Sequence, residues 1–324
     1  MWDLRRHWTS EKRKLQQELR SGTYQLGLLS RTTLSNGEEV DLWPARDALV
    51  MKALTLVLHP VLPVSPHCAH LKGHGGLKGA LRAVLAHRSS HLFVFKTDVQ
   101  AYYASIDHQT LLDHLAPHLP DPGILNLVGQ YLKRRAERGG LVWEYQQGLP
   151  LGCPLSPLLG AVLLTPLDEQ LAQSGVFYVR YMDDILVMAS TRWKLRRAIR
   201  MVKQGLSRLG LATHPDKTWV GRTEQGCDFL GYHLNQEGVT VAEATVTRCV
   251  TRIRRLHEQD SPRPYGAKAV GGVRVPVVAM GQRRVTRLGP AHVDVATTDS
   301  RLGLGGRCRR ATWSWVRGRG RTCH

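Results

Sequence analysis

The chain has 324 residues, enough for one large domain or two interleaved ones, and carries 45 Lys and Arg against 26 Asp and Glu. The net charge of +19 indicates a polyanionic partner, most simply nucleic acid. Six cysteines without CxxC spacing argue against a disulfide framework or a zinc ribbon, and no 18-residue apolar run or secretory signal occurs, so we expect a cytoplasmic protein with no membrane partner.

The first ninety residues alternate helical segments with polar loops. Residues 2–19 predict a helix, and Pro44 opens a second helix that runs to Leu58 with an apolar stripe. The His67-Cys68-Ala69-His70 stretch is interpreted as a polar loop, with zinc binding as the alternative. The basic loop of residues 71–79 lacks the GxxxxGK[ST] spacing of a phosphate-binding P-loop.

A short apolar strand over residues 91–99 places Asp98 near its end. Tyr102 and Tyr103 follow, and they are either core aromatics or part of a binding site. Asp107 is a good N-cap residue and predicts a helix through His118.

The middle of the chain combines two predicted helices with a rigid loop. Residues 124–138 predict a helix, and a strand should end at Tyr145. Residues 146–155 are dense in Gly and Pro, which restricts the loop to few conformations. Ser156 and Pro157 are suited to the start of a helix that continues to about residue 174.

Two apolar runs, residues 176–181 and 185–189, flank the adjacent aspartates Asp183 and Asp184. Their β-branched and aromatic residues predict a hairpin with the acidic pair at its tip. Carboxylates this close repel each other and raise each other's pKa unless a cation lies between them, and Mg²⁺ prefers such oxygen ligands. The alternative is a merely polar turn, but the aromatic-Met-Asp-Asp form between two apolar strands favours a metal site.

Four further elements follow the hairpin. Residues 191–209 predict an amphipathic helix with Trp193 on its inner side and a uniformly basic outer face, which is interpreted as a nucleic-acid surface. His214-Pro215-Asp216-Lys217-Thr218 predicts a turn, residues 227–234 a hairpin, and residues 242–257 the first helix of another region.

Tyr181-Met182-Asp183-Asp184 resembles the active-site box of reverse transcriptases. The strand ending in Asp98, the Gln-Gly…Pro-Leu-Ser-Pro loop, the turn with Lys217 and Phe229-Leu230-Gly231 complete the family's pattern in the same order. The resemblance covers about residues 40–257 and is to the group II intron-like and related bacterial enzymes. It implies an α+β fold with a right-hand polymerase palm (an antiparallel sheet with helices), mostly helical fingers and a reduced or irregular thumb.

The resemblance also implies a role for individual residues. Asp98, Val99, Asp183 and Asp184 would hold two Mg²⁺ ions, for which Mn²⁺ can substitute, and Lys217 would be the general acid beside the leaving pyrophosphate. The implied nucleotide and primer contacts are Tyr103, which would exclude a 2′-hydroxyl, Gln147 and Gly148 in the nucleotide pocket, Arg46 or Arg31 at the phosphates, and Leu230 and Gly231 in the primer grip. The match around Arg46 is partial, because Leu42-Trp43-Pro44-Ala45-Arg46-Asp47-Ala48 departs from the usual basic pattern.

The domain boundaries follow from these elements. We expect an N-terminal region and fingers over 1–97, a palm over 98–240 with a fingers segment at about 120–150, and the start of the thumb at 241–260. The segment 261–324 has thirteen Lys and Arg against two Asp, is rich in Gly, and predicts an irregular basic tail. The rest of the chain is basic as well, so nucleic-acid binding does not depend on the tail alone.

The predicted activity is RNA-directed DNA polymerisation, with an RNA template, a DNA or RNA primer and dNTPs as partners. Two alternatives remain open at this point. One is an RNA-dependent RNA polymerase or a template-independent polymerase with the same palm. The other is a non-catalytic nucleic-acid-binding derivative of a polymerase.

Overall fold

A computed structural model describes residues 2–34, 37, 39–235 and 238–260. The predicted irregular tail, 261–324, lies outside the described residues. None of the described helices is long and apolar enough to cross a bilayer.

The described helices cover both halves of the chain. They are α1 (Trp2–Arg6), α2 (Trp8–Arg20), α3 (Ala45–Leu58), α4 (Gly76–His87), α5 (Tyr102–Ser105), α6 (His108–Leu115), α7 (Pro122–Leu132), α8 (Ser156–Leu163), α9 (Thr165–Ala172), α10 (Arg192–Arg208) and α11 (Glu243–Asp260). Asp107 caps α6 by accepting from the Thr110 N–H, and Thr191 caps α10 by accepting from the Lys194 N–H, as predicted.

The described strands are short and form three sheets. They are β1 (Leu29–Thr33), β2 (Glu39–Leu42), β3 (Phe93–Asp98), β4 (Arg135–Arg138), β5 (Leu141–Glu144), β6 (Phe177–Tyr181), β7 (Asp184–Ala189), β8 (Trp219–Arg222), β9 (Cys227–Phe229), β10 (Tyr232–Asn235) and β11 (Gly238–Val241). The central sheet has the order β6-β7-β3-β8 and is antiparallel throughout, and the other two have the orders β2-β1-β4-β5 and β11-β10-β9.

The central sheet is covered on both faces, which explains why its strands are almost continuously apolar. On one face, Phe95 and Val187 belong to the main core, together with residues of α8, α9 and α10. On the other face, Val94 and Leu186 pack in a second cluster with α4 and the β9–β10 hairpin. This mixed arrangement confirms the predicted α+β class with an antiparallel sheet.

Three local predictions were wrong. The helix predicted over 124–138 ends at Leu132, because residues 135–138 form β4 and pair with β5 and β1. The helix predicted from Ser156 to about residue 174 is interrupted between α8 and α9, where Pro166 lacks the N–H that would continue the hydrogen-bond ladder. Trp193, predicted to face inward, has 77% of its surface exposed, because Leu195 and Ala198 form the buried stripe of α10 instead.

Candidate active site

The strand register brings the three predicted carboxylates to one end of the central sheet. Asp98 is the last residue of β3 and lies opposite Asp184, the first residue of β7. Asp183 occupies the turn between β6 and β7, and its carbonyl accepts a hydrogen bond of 3.1 Å from the Val99 N–H. The hairpin and its acidic tip were therefore predicted correctly as secondary structure.

The electrostatics of this end of the sheet disfavour ionised carboxylates. Burial raises the pKa of Asp183, and the nearby Asp98 raises it further. Burial also raises the pKa of Asp184 to about 6, with Asp183 and Asp98 adding to the shift and Lys96 opposing it. The acidic groups thus lie where a cation would lower their energy.

Lys217 provides one positive charge at this end of the sheet. Its Nζ donates to Asp98 Oδ2 at 2.7 Å, and this hydrogen bond raises the pKa of Lys217. The side chain of Lys217 remains 56% exposed, whereas that of Asp98 is 9% exposed. The His214 N–H donates to the Asp98 carbonyl at 2.7 Å, which fastens the segment carrying Lys217 to the end of β3.

The turn that carries Asp183 is held by buried side chains through Met182. Met182 has a φ of 56°, an unusual left-handed conformation for a non-glycine residue. Its N–H donates to His70 Nδ1 at 3.1 Å, and its carbonyl accepts from Arg180 Nη1 at 2.9 Å. Both polar groups of this strained residue are therefore satisfied by side chains, which fixes the turn.

His70 can perform this role only when it is neutral. Its Nε2 lies 3.1 Å from the Pro157 carbonyl and must donate to it, which leaves Nδ1 as an acceptor for the Met182 N–H. Burial lowers the pKa of His70 to about 4, so the ring stays uncharged near neutral pH. Cys68 Sγ is a further neighbour of Nδ1, at 3.3 Å.

Arg180 is itself held by a fully buried ion pair with Asp168. Arg180 Nε and Nη2 donate to the two carboxylate oxygens at 2.9 and 2.5 Å, and both side chains have 0% exposure. The Tyr178 hydroxyl donates to the same carboxylate at 2.5 Å. A bidentate pair with this added hydrogen bond satisfies the buried charges and places Arg180 rigidly beneath the turn.

A cleft of about 1090 Å³ opens beside Asp183. Tyr103, Gln147, Gly148 and Met182 are among the residues that line it, together with residues of β2. The structure thus brings three of the predicted nucleotide-contacting residues next to one of the predicted catalytic carboxylates.

Tyr103 lies on one wall of this cleft. Its hydroxyl is buried with no hydrogen-bond partner among the described residues. Burial raises the pKa of Tyr103 to about 12, and Asp183 adds to the shift, so the phenol stays protonated. The side chain therefore presents a neutral ring, a steric rather than an ionic feature of the cleft.

Gly148 holds the loop that crosses over Tyr103. The Gly148 N–H donates to the Ile106 carbonyl and the Leu149 N–H donates to the Tyr103 carbonyl, each at 2.8 Å. Gly148 has a φ of +84°, and a Cβ there would lie 2.9 Å from the carbonyl oxygens of Tyr103 and Ala104. Only glycine fits this crossing without displacing backbone.

Two arginines add positive charge to the cleft lining. Arg31 forms a 2.9 Å ion pair with Asp41, while Arg134 is 6% exposed and stacks 4.0 Å from the Tyr145 ring centroid. Arg134 also donates to the Gly148 carbonyl at 2.9 Å. No sequence pattern indicated Arg134, because it lay in a segment predicted as a basic helix end.

Three predicted site residues lie elsewhere. Arg46 forms ion pairs with Glu18 at 2.7 Å and Glu11 at 3.6 Å and does not line the cleft. Leu230 and Gly231 form the turn between β9 and β10, with φ of 51° and 83°, and the Gly231 carbonyl accepts from the Ala242 N–H at the start of α11. Their roles at phosphate and primer stay predictions.

His70, Arg180 and Asp168 were not predicted as functional, although a signal existed for one of them. Arg180 interrupts an apolar strand, whereas Asp168 stands beside Glu169 and Gln170. A lone charge in an apolar strand indicates a buried ion pair or a mistaken element, and here it indicates the pair. Within the described residues, no group of three or more His, Cys, Asp or Glu side chains forms a ready-made metal cage.

The sequence of this chain is similar to a known protein family and to a curated bacterial protein. Residues 47–234 match the family described as "Reverse transcriptase (RNA-dependent DNA polymerase)". Protein YkfC of Escherichia coli (strain K12) is 24% identical over 284 residues, which cover 73% of this chain and 74% of YkfC.

Two solved telomerase structures are similar to parts of this chain. Apo telomerase from Candida tropicalis superimposes with a TM-score of 0.52 at 12% identity, covering 68% of this chain and 49% of that one. Telomerase from Candida albicans gives a TM-score of 0.48 at 12% identity and coverages of 66% and 41%, so this chain spans less than half the length of either. The family match covers more than half of the chain and includes Asp98, Asp183 and Asp184, and this chain therefore belongs to the reverse transcriptase (RNA-dependent DNA polymerase) family.

Proposed function

We propose that this chain is an RNA-directed DNA polymerase that adds dNTPs to a primer 3′-hydroxyl by two-metal catalysis. The observation that carries the proposal is the convergence of Asp98, Asp183 and Asp184 at one end of the central sheet, beside a cleft with room for a nucleotide. Burial is the main cause that raises the pKa of both Asp183 and Asp184, and a bound cation would favour their ionised forms.

The donor chemistry of this site fits magnesium. Asp98, Asp183, Asp184 and the backbone carbonyl of Val99 would hold two Mg²⁺ ions, or Mn²⁺ in their place, because hard oxygen ligands suit both. When bound, the ions would lower the pKa of the primer 3′-hydroxyl and neutralise charge on the leaving pyrophosphate. The turn holds the carboxylates in position for this task, since the N–H and the carbonyl of Met182 are both hydrogen-bonded to side chains.

Lys217 is the proposed general acid. It contacts Asp98 at 2.7 Å and is about half exposed, so its side chain can turn from the carboxylate to the phosphates of a bound nucleotide. An ammonium in that position donates a proton to the pyrophosphate oxygen as the bond to the α-phosphorus breaks. The electron pair of that bond stays with pyrophosphate, and the primer 3′-oxygen, whose proton passes to solvent water, takes its place on phosphorus.

The cleft supplies the remaining contacts. Gln147 and Gly148 form the proposed nucleotide-binding wall, and Tyr103 lies against the sugar. Arg31 and Arg134 are the cations of the cleft lining, whereas Arg46 would have to leave two glutamates to reach a phosphate. In this scheme residues 1–97 with about 120–150 form the fingers, 98–240 the palm, and 241–260 the start of the thumb.

The test is extension of a labelled primer annealed to an RNA template, with dNTPs or NTPs and with Mg²⁺ or Mn²⁺. We expect extension with dNTPs that stops on addition of EDTA and is missing in Asp183→Asn. Extension with NTPs alone would indicate an RNA polymerase, and additions that ignore the template would indicate a template-independent enzyme. Template binding without any addition under all four conditions would contradict the proposal and favour a non-catalytic derivative.

Tyr103→Ala is expected to weaken discrimination between dNTPs and NTPs. Removing the ring opens space for a 2′-hydroxyl, and steric selection of this kind is worth about 10- to 200-fold in kcat/KM. The ratio of kcat/KM for dTTP and UTP on a poly(A) template measures it. Tyr102→Phe is the control, because it removes only the hydroxyl that donates to the Gly160 carbonyl and keeps the ring. An unchanged ratio in Tyr103→Ala would refute the sugar-gate role.

His70→Phe is expected to lower the rate of addition by about 10- to 100-fold, because the Met182 N–H loses its acceptor and Asp183 loses its fixed position. His70→Gln keeps an acceptor and a donor on one side chain and should restore much of the rate. The readout beyond activity is the affinity for Mn²⁺ measured by calorimetry, which should fall in the same order. Equal Mn²⁺ affinity in all three proteins would show that His70 only fills space.

A further inference from the structure

Helix α10 presents a basic face on the side that does not pack against the sheet. Leu195, Ala198, Val202 and Leu206 are buried against the core. The seven Lys and Arg of this helix are all exposed, and the helix contains no Asp or Glu. We call the exposed side of Arg192–Arg208 the α10 surface.

Apart from Arg208 in the last turn, the charges of the α10 surface gain no stabilising partner from the helix. None of the seven cations forms an ion pair within the described part of the chain. Arg192 and Lys194 lie in the first turn, where the helix dipole disfavours positive charge. Arg196 lies four residues from both Arg192 and Arg200, a spacing at which like charges repel. Phosphate groups would relieve all of these repulsions.

Trp193 adds an aromatic platform to this surface. Its side chain is 77% exposed, compared with 42% for Trp8, and the Arg196 guanidinium lies 5.5 Å from the ring centroid. Proteins that bind single-stranded nucleic acids combine aromatic rings with nearby cations, so that bases stack on the rings and phosphates contact the cations. Anionic membranes fit less well, because the apolar stripe of α10 is buried against the core and Trp193 alone is left to insert.

The α10 surface lies away from the catalytic cleft. Strand β7 runs from Asp184 to Ala189, and its length separates the carboxylates from the start of α10 by about 17 Å. Arg192 packs over Phe93, at the end of β3 opposite Asp98. Neither Trp193 nor any cation of α10 lines the cleft.

We propose that the α10 surface is a second nucleic-acid site that binds a single-stranded segment outside the catalytic cleft. A base stacks on Trp193, and Lys194, Arg197 and Arg200 contact the phosphates. Such a site would retain a template or product strand on the outer side of α10 while the cleft is occupied by the primer end. The proposal goes beyond polymerisation and does not require it.

The test uses the full chain with its cleft filled by a short primer–template hairpin. Binding of a fluorescent 12-nucleotide RNA or DNA oligomer is then followed by anisotropy at several salt concentrations. The test protein carries Trp193→Ala, Arg197→Glu and Arg200→Glu. The matched control carries Trp8→Ala, Arg13→Glu and Arg20→Glu on α2, where Trp8 is 42% exposed and the arginines are exposed.

We expect the test protein to bind the oligomer at least tenfold more weakly, with a salt slope lower by about 1.4 or more for the two removed cations. The control should bind like the parent, and neither variant should unfold at a lower temperature than the parent. Extension of the hairpin primer should continue in the test protein. If the parent extends nothing but the oligomer result holds, the polymerase proposal fails and the α10 site stands.

Three results would overturn the proposal. The first is equal oligomer affinity in the test protein and the parent. The second is an equal loss in the control, which would mean that net charge alone decides binding. The third is that the parent binds phosphatidylserine vesicles but neither oligomer, and that the three substitutions abolish this vesicle binding.

Discussion

Replacing Asp183 with asparagine is expected to lower the rate of dNTP addition by about a thousand-fold or more without lowering the stability of the protein. The two side chains have the same shape, so packing of the turn is preserved. What is lost is the negative charge that would hold the metal ions beside the primer 3′-hydroxyl.

The stability part of this prediction follows from the direction of the pKa shift. Burial, reinforced by Asp98, raises the pKa of Asp183 above its value in the unfolded chain. As the pH rises above the pKa of this aspartate in the unfolded chain and through its raised pKa in the folded chain, ionisation lowers the stability of the fold. An amide cannot ionise, so Asp183→Asn removes this loss. In metal-free buffer at neutral pH, Asp183→Asn should unfold at the same temperature as the parent or at a higher one.

Single-turnover extension with Mg²⁺ and with Mn²⁺ measures the rate, and thermal unfolding measures the stability. Asp113→Asn is the control, because Asp113 is an exposed carboxylate on α6 whose contact is with Gln109. A parent-like rate in Asp183→Asn would remove Asp183 from the catalytic group. A lost rate together with a lower unfolding temperature would mean that the residue supports the fold.

The central hairpin could be predicted from the sequence because both of its strands and the turn between them lie within a short segment of the chain. The apolar runs on both sides of Asp183 and Asp184 pair with each other, and the short connection fixes their register. Asp98 was predicted at the end of a strand from the same kind of pattern, and its place opposite Asp184 needed only antiparallel pairing of β3 with β7.

The wrong predictions involve partners that are distant in sequence. Strand β4 pairs in parallel with β1, about a hundred residues earlier, and this pairing overrides the helical pattern of residues 124–138. The orientation of α10 depends on which side of the helix meets the sheet, and the apolar spacing admitted Trp193 on either side. The contact of His70 with Met182 joins two segments that are 112 residues apart and that no local pattern relates.

Asp168→Ala is expected to destabilise the protein by about 3–5 kcal/mol, because it leaves the fully buried Arg180 without its counter-charge. The Tyr178 hydroxyl loses its acceptor at the same time. Glu169→Ala, at the exposed neighbouring position on α9, should change the free energy of unfolding by less than about 0.5 kcal/mol. Denaturant unfolding measures both, and a loss below 1 kcal/mol in Asp168→Ala would mean that water or another group compensates Arg180.

The double variant Asp168→Leu with Arg180→Met separates the stability of the core from the position of the catalytic turn. Apolar side chains of similar volume often replace a buried ion pair with little loss, so we expect the double variant to recover most of the stability that Asp168→Ala loses. It should not recover dNTP addition, because the Met182 carbonyl still lacks the hydrogen bond from Arg180 Nη1 and the residue must keep its left-handed conformation unaided. Recovery of both stability and rate would mean that the ion pair serves the core alone. Recovery of stability without rate would mean that the buried charge is retained to fix the turn that carries Asp183.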